Sequence, residues 1–223
     1  MEGRNQRISV AILGHSFIRR LHESFRHHFL PANYDLMECE VIHMGLGGLC
    51  VCENKLRHIS TDKFKQRFDN FFKIHKPQVV VLQLGGNDID CGIGINSRIV
   101  PLTVASTLKE IGVLLLKDYN VKQVILCELF TRAKPRNVSV EEYEAKRRHI
   151  NSILKTLLES HPSITFWSQR RIFGAQTQIF AADGVHFTQF GQHRFYRSLR
   201  HAVMRAVKNY TKTFLREYIL RCL

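Results

Sequence analysis

The sequence predicts an α/β protein: a parallel sheet of about five strands with helices on both faces. Five strand-like apolar runs alternate with segments of helical periodicity, the pattern that winds strands in parallel. The run Val79-Val80-Val81-Leu82 is apolar at consecutive positions, as a strand buried on both sides requires. A length of 223 residues with 44% hydrophobic content suits one domain, residues 1–223, with a sizeable core.

In chain order the strands are expected over Ile8 to Leu13, about Met37 to Met44, Gln78 to Leu84, Gln123 to Leu129 and Ile164 to Trp167. Between the first two, Phe17, Leu21, Phe25 and Phe29 recur at i+4 with arginines off that stripe, giving a helix with an aromatic inner face. Phe64, Phe68, Phe71 and Phe72 mark a second helix. A third runs through Val104, Leu108, Ile111 and Leu115, with Pro101 near its start. The fourth carries Ile150, Ile153, Leu154 and Leu157, and Ser139 with Glu142 fits a capping box at its beginning. The last starts near Thr188, passes through Phe195, Leu199 and Val203, and continues as a basic amphipathic segment over about 188–223. Its tail from Lys208 reads as a docked helix end. The stretch Gly92 to Ile99 reads as a loop.

Composition narrows the class. Lys and Arg number 33 against 19 Asp and Glu, a formal charge of +14, which favours an anionic partner, nucleic acid or an acidic surface. The basic residues recur around Arg19-Arg20, Lys146-Arg147-Arg148, Gln169-Arg170-Arg171 and along the last helix rather than in one tract. Six scattered cysteines without a CxxC pair read as reduced thiols of an intracellular protein, cytoplasmic or nuclear. No apolar run reaches the roughly 20 residues that span a bilayer, and no signal-peptide pattern is read at the polar N-terminus.

In an open parallel sheet, ligands bind beyond the carboxyl ends of the strands, so the residues after each strand carry the chemistry. Four loops stand out: Gly14-His15-Ser16, Gly45-Leu46-Gly47-Gly48, Gly85-Gly86-Asn87-Asp88 and Asp183-Gly184-Val185-His186. Together they hold a hydroxyl nucleophile, a base, a carboxylate to orient the base, and donors for an oxyanion, the parts of acyl transfer. Asp183 and His186, three apart on a turn, share one side, leaving the far imidazole nitrogen to face Ser16. Ser16 follows a strand and a glycine, at or near a helix N-cap where first-turn amides lack intrahelical partners. The pair Asp88 and Asp90 suggests structural hydrogen bonding or loop solvation more than a cation site.

These four blocks resemble those of the SGNH hydrolases, also called GDSL-type esterases and lipases, in residue type, order and separation. The resemblance implies a flavodoxin-like three-layer α/β/α sandwich that needs neither cofactor nor metal. It implies that Ser16 attacks an ester carbonyl, His186 takes its proton, Asp183 holds the imidazole, and Ser16, Gly48 and Asn87 bind the oxyanion. The expected substrate is a small-molecule, glycan or lipid ester. Gly47 competes with Gly48 for the glycine position, and Asn87 by itself also reads as a loop-capping side chain. One position departs from the pattern: His15 stands where the family usually has aspartate before the serine. A binding module on the same fold, with the positive charge as its working feature, is the competing expectation.

Overall fold

The computed structural model describes residues 7–28, 30–51, 61–90, 101–169, 172 and 178–222. The expected loop from Gly92 to Ile99 lies outside them, as do Cys52 and Cys91. All five strands form, as β1 (Ile8–Gly14), β2 (Cys39–Gly45), β3 (Val79–Gln83), β4 (Gln123–Cys127) and β5 (Ile164–Trp167). Every neighbouring pair is parallel, in the order β2-β1-β3-β4-β5. Among the described residues six helices accompany them: α1 (Ser16–His28), α2 (Thr61–His75), α3 (Gly86–Asp90), α4 (Pro101–Asp118), α5 (Val140–Leu158) and α6 (Gln189–Cys222).

Strand alternation sorts the core into two layers. Ala11, Leu13, Val80, Leu82, Val124 and Leu126 point to one side, where Phe64, Phe68 and Phe72 of α2, Leu108 and Ile111 of α4 and Leu154 of α5 cover them. Val10, Ile12, Val79, Val81, Ile125 and Cys127 point to the other, against Phe17, Leu21 and Phe25 of α1 and Phe195, Leu199 and Val203 of α6. Each Val, Leu, Ile or Phe side chain among them taken from water contributes about 1.5–3 kcal/mol. The result is the three-layer sandwich, with α1 and α6 on one face and α2, α4 and α5 on the other.

The capping signals hold in part. Glu142 N–H donates to Ser139 Oγ at 3.1 Å, but the Glu142 carboxylate takes Lys146 at 2.7 Å instead of reaching back, so half of the box forms. Thr188 Oγ1 accepts from Gly191 N–H at 3.3 Å at the start of α6. That helix stays on the core as far as Tyr210, which packs against the α1 layer. Ser16 is the first residue of α1, one place later than a cap, and the His15 carbonyl accepts from Ile18 and Arg19. Among the described residues, no helix is long and apolar enough to cross a membrane. Cys39, Cys50 and Cys127 are buried free thiols.

Candidate active site

Because all strands run the same way, the residues that follow them gather at one rim. Ser16 leaves β1 there, and the turn 181–187 arrives there just before α6. His186 Nε2 lies 2.8 Å from Ser16 Oγ, across 170 residues of sequence, and His186 Nδ1 lies 2.6 Å from Asp183 Oδ2. The other Asp183 oxygen accepts the backbone N–H groups of Val185 (3.0 Å) and His186 (2.9 Å), so the carboxylate is locked to its own turn. Gly184 makes that turn fit. Its φ is +64°, and a Cβ there would fall 2.8 Å from the Lys134 backbone nitrogen, so a larger residue is strained and crowded at once. The Gly184 carbonyl accepts from Ala133 and Lys134, which docks the turn on the loop after β4.

His186 is buried, with the Phe17 ring 5.7 Å away, and Phe17 in turn packs on Phe130 and Phe187. Burial lowers its pKa below the ordinary 6.5; the Asp183 hydrogen bond raises it, and the Arg20 and Arg132 charges lower it further. Burial works against ionisation of Asp183, but the hydrogen bonds from His186 and Val185 outweigh it and hold the carboxyl well below the usual range. At neutral pH the pair is therefore a carboxylate beside a neutral imidazole, the state in which Nδ1–H donates and Nε2 accepts.

Asn87 sits on α3, a five-residue helix where the sequence suggests a loop. Its Nδ2 donates to the Leu49 carbonyl at 3.0 Å, and its Oδ1 accepts from Arg132 Nη2 at 2.7 Å. The amide is thus oriented at both ends and keeps one N–H for another acceptor. Asp88 Oδ1 accepts from Val51 N–H at 2.8 Å, so α3 carries the loop after β2 on its side. On that loop Gly48 has φ +73°, a backbone state glycine adopts freely, while Gly47 lies exposed beside the Arg19 guanidinium.

Two residues at the site escaped the sequence reading, Arg132 and Arg20. Arg132 is 4% exposed; besides Asn87 it pairs with Asp90 and lies with its guanidinium carbon 5.3 Å from the Tyr143 ring centre. Asp90 also accepts the backbone N–H groups of Arg136 (2.7 Å) and Asn137 (2.9 Å). So the Asp88 and Asp90 carboxylates are buried structural acceptors, and among the described residues no acid, histidine or cysteine cluster is built to hold a metal. Arg20 lies 3.6 Å from Asp183 Oδ2. Two signals pointed to these residues. Arg20 is four residues from Ser16, hence on the same helix face, and Arg132 lies in the loop after β4, which the strand-end rule marks as readily as the other four.

His15 points away from proton transfer. The residue is 1% exposed, its Nδ1 has no hydrogen-bond partner among the described residues, and burial with the Arg132 and His186 charges pushes its pKa down to about 3. A folded pKa below the unfolded value means that protons favour unfolding as pH falls through 6.5. His15 alone should therefore remove about 2 kcal/mol of stability between pH 7 and 5. Burial also lowers the His43 pKa to about 3, so urea unfolding of the native chain and of His15→Gln at the two pH values isolates the His15 share; an equal pH dependence in the two proteins would contradict it.

No protein-family model matches the chain, and no curated protein matches its sequence. Solved structures do. A GDSL-like lipase from Bacteroides thetaiotaomicron is 18% identical, with 89% of this chain and 88% of that one covered and a TM-score of 0.64. An aryl esterase from M. smegmatis is 15% identical, covering 89% and 99%, with a TM-score of 0.66. An acetylxylan esterase from Geobacillus stearothermophilus is 15% identical, covering 86% and 92%, with a TM-score of 0.59. Such likeness establishes a common fold, the α/β sandwich of GDSL-type hydrolases.

Proposed function

We propose that this chain is a serine esterase of the SGNH type, hydrolysing an oxygen ester through an acyl-enzyme. The observation that carries the reading is the continuous hydrogen-bond chain from Asp183 through His186 to Ser16 Oγ. Ser16 Oγ attacks the ester carbonyl carbon while its proton passes to His186 Nε2, and Asp183 stabilises the imidazolium so formed. The carbonyl oxygen becomes an oxyanion, met by the Ser16 amide at the start of α1, the Gly48 amide and the remaining Asn87 N–H. His186 then gives its proton to the leaving alkoxide. Water, deprotonated by the same nitrogen, releases the acid and restores Ser16. The fold neighbours include a lipase, an aryl esterase and an acetylxylan esterase, so the architecture admits lipid, small-molecule and glycan esters alike.

A fluorophosphonate probe tests the reading. The native chain should be labelled, with the adduct mapped to the peptide containing Ser16; an unlabelled, folded protein would leave the binding-module alternative. The pH profile gives a second check. Only neutral His186 accepts the proton, so kcat/KM should rise with pH through one ionisation below 6.5 and be flat by neutrality. Arg20→Gln removes a cation that holds that pKa down, so the rising limb should move to higher pH; an unmoved limb would separate Arg20 from the relay.

A further inference from the structure

At the end of the sheet opposite β2, an open strand edge lies within a basic groove. A cavity of about 940 Å³ runs along β5, with α5 on one wall and α6 on the other. The Val124 N–H donates to the Ser163 carbonyl (2.8 Å) and the Glu128 N–H to the Trp167 carbonyl (2.9 Å). In a parallel ladder this turns the peptide groups of residues 163, 165 and 167 toward β4 and those of Ile164 and Phe166 outward. The Ile164 N–H is taken by His161 Nδ1 at 3.1 Å. The Phe166 N–H and carbonyl have no partner among the described residues, and no described strand pairs with this edge.

The walls are cationic. Arg194, Arg197, His201 and Arg205 follow one another at three- and four-residue intervals on the α6 face lining the cavity, and Lys155 lines it from α5. Lys155, Arg197 and Arg205 are exposed and pair with no carboxylate among the described residues, and Glu159 is the one acid among the described wall residues.

We propose that this groove binds an acidic, extended peptide segment, added to the sheet as a sixth strand along β5. Side chains on one face of a strand repeat every two residues, about 6.6 Å. Arg197, His201 and Arg205 repeat every four helical residues, about 6 Å, so alternate carboxylates along the added strand meet successive basic side chains. The Phe166 peptide group supplies the main-chain pairing on which strand addition depends. The same charges repel a second copy of this basic chain, which blunts the edge against self-association. A nucleic-acid strand fits less well. It offers no ladder of amides to Phe166, and Trp167 is no free stacking platform: its indole N–H is tied to Ser198 Oγ at 3.1 Å and its ring packs on the core.

The test uses the full chain and a fluorescein-labelled peptide of alternating Glu and Val, followed by anisotropy, with amide exchange of Phe166 measured in parallel. Saturable binding is expected, weakened about tenfold or more by the double change Arg197→Glu and Arg205→Glu, or by N-methylation of alternate peptide amides. The peptide should slow Phe166 exchange by about tenfold or more. An unchanged circular dichroism spectrum and urea midpoint certify that the double variant is folded; should it not fold, Phe166 exchange in the native chain decides by itself. The proposal is overturned by absent saturable binding, by equal affinity for the N-methylated peptide, or by tighter binding of oligothymidylate with Phe166 unprotected. It stands independently of the esterase reading, because no residue of the groove belongs to the Ser16 site.

Discussion

Ser16→Ala should lower the turnover of a p-nitrophenyl ester by on the order of 10⁶-fold, leaving KM and the unfolding free energy nearly unchanged. The size follows from the geometry: Ser16 Oγ is the atom His186 Nε2 addresses at 2.8 Å, and no other hydroxyl among the described residues joins that relay. His186→Ala should cost as much, and the two changes together no more than either, because nucleophile and base act as one unit. Asp183→Asn should cost less, on the order of 10⁴-fold, since the amide still occupies the site but presents the wrong partner to Nδ1. Additive losses in the double variant, or a Ser16→Ala protein that retains a tenth of the native rate, would remove Ser16 from the reaction.

Arg132→Met should cost about 3–5 kcal/mol of stability, because the Asp90 carboxylate, with its side chain 2% exposed, loses its cation without regaining water. It should also lower kcat by on the order of 10- to 100-fold, since Asn87 loses the contact that fixes its Oδ1 and thereby aims its amide; outright loss of such a donor costs about 100- to 1000-fold. A second change separates the two effects. Asp90→Asn in the Arg132→Met background removes the stranded charge, so stability should recover in large part while kcat stays low. If kcat recovers along with stability, Arg132 supports the fold and does not position Asn87.

The strands and long helices were legible in the sequence because each rests on periodicity within its own segment. Val79 to Leu82 reads as doubly buried, and the Phe64, Phe68 and Phe72 stripe reads as one helix face, with no knowledge of what covers either. The helix α3 was not legible: five residues with a glycine at the start offer no period. Ser16, Asp183 and His186 could be nominated from residue type and strand-end position, whereas Arg132 could not be assigned a partner. Its contact with Asn87 spans 45 residues and depends on where two loops meet once the sheet is built. The capping box shows the same limit in miniature. Ser139 acts locally and as expected, but Glu142 had a choice of partners and took Lys146.

In the proposed mechanism the nucleophile Ser16 and its base His186 lie far apart in sequence, joined by a contact across 170 residues. At a synthesis rate of about 5–20 residues per second, the hydroxyl waits roughly 10–30 s for its imidazole. During that interval β1, β2, β3 and β4 can assemble, yet a fragment lacking the turn before α6 has no base for the proposed reaction. On that mechanism turnover reports the arrival of residue 186, and recovery of activity during refolding would time the docking of the turn before α6 onto an already assembled sheet.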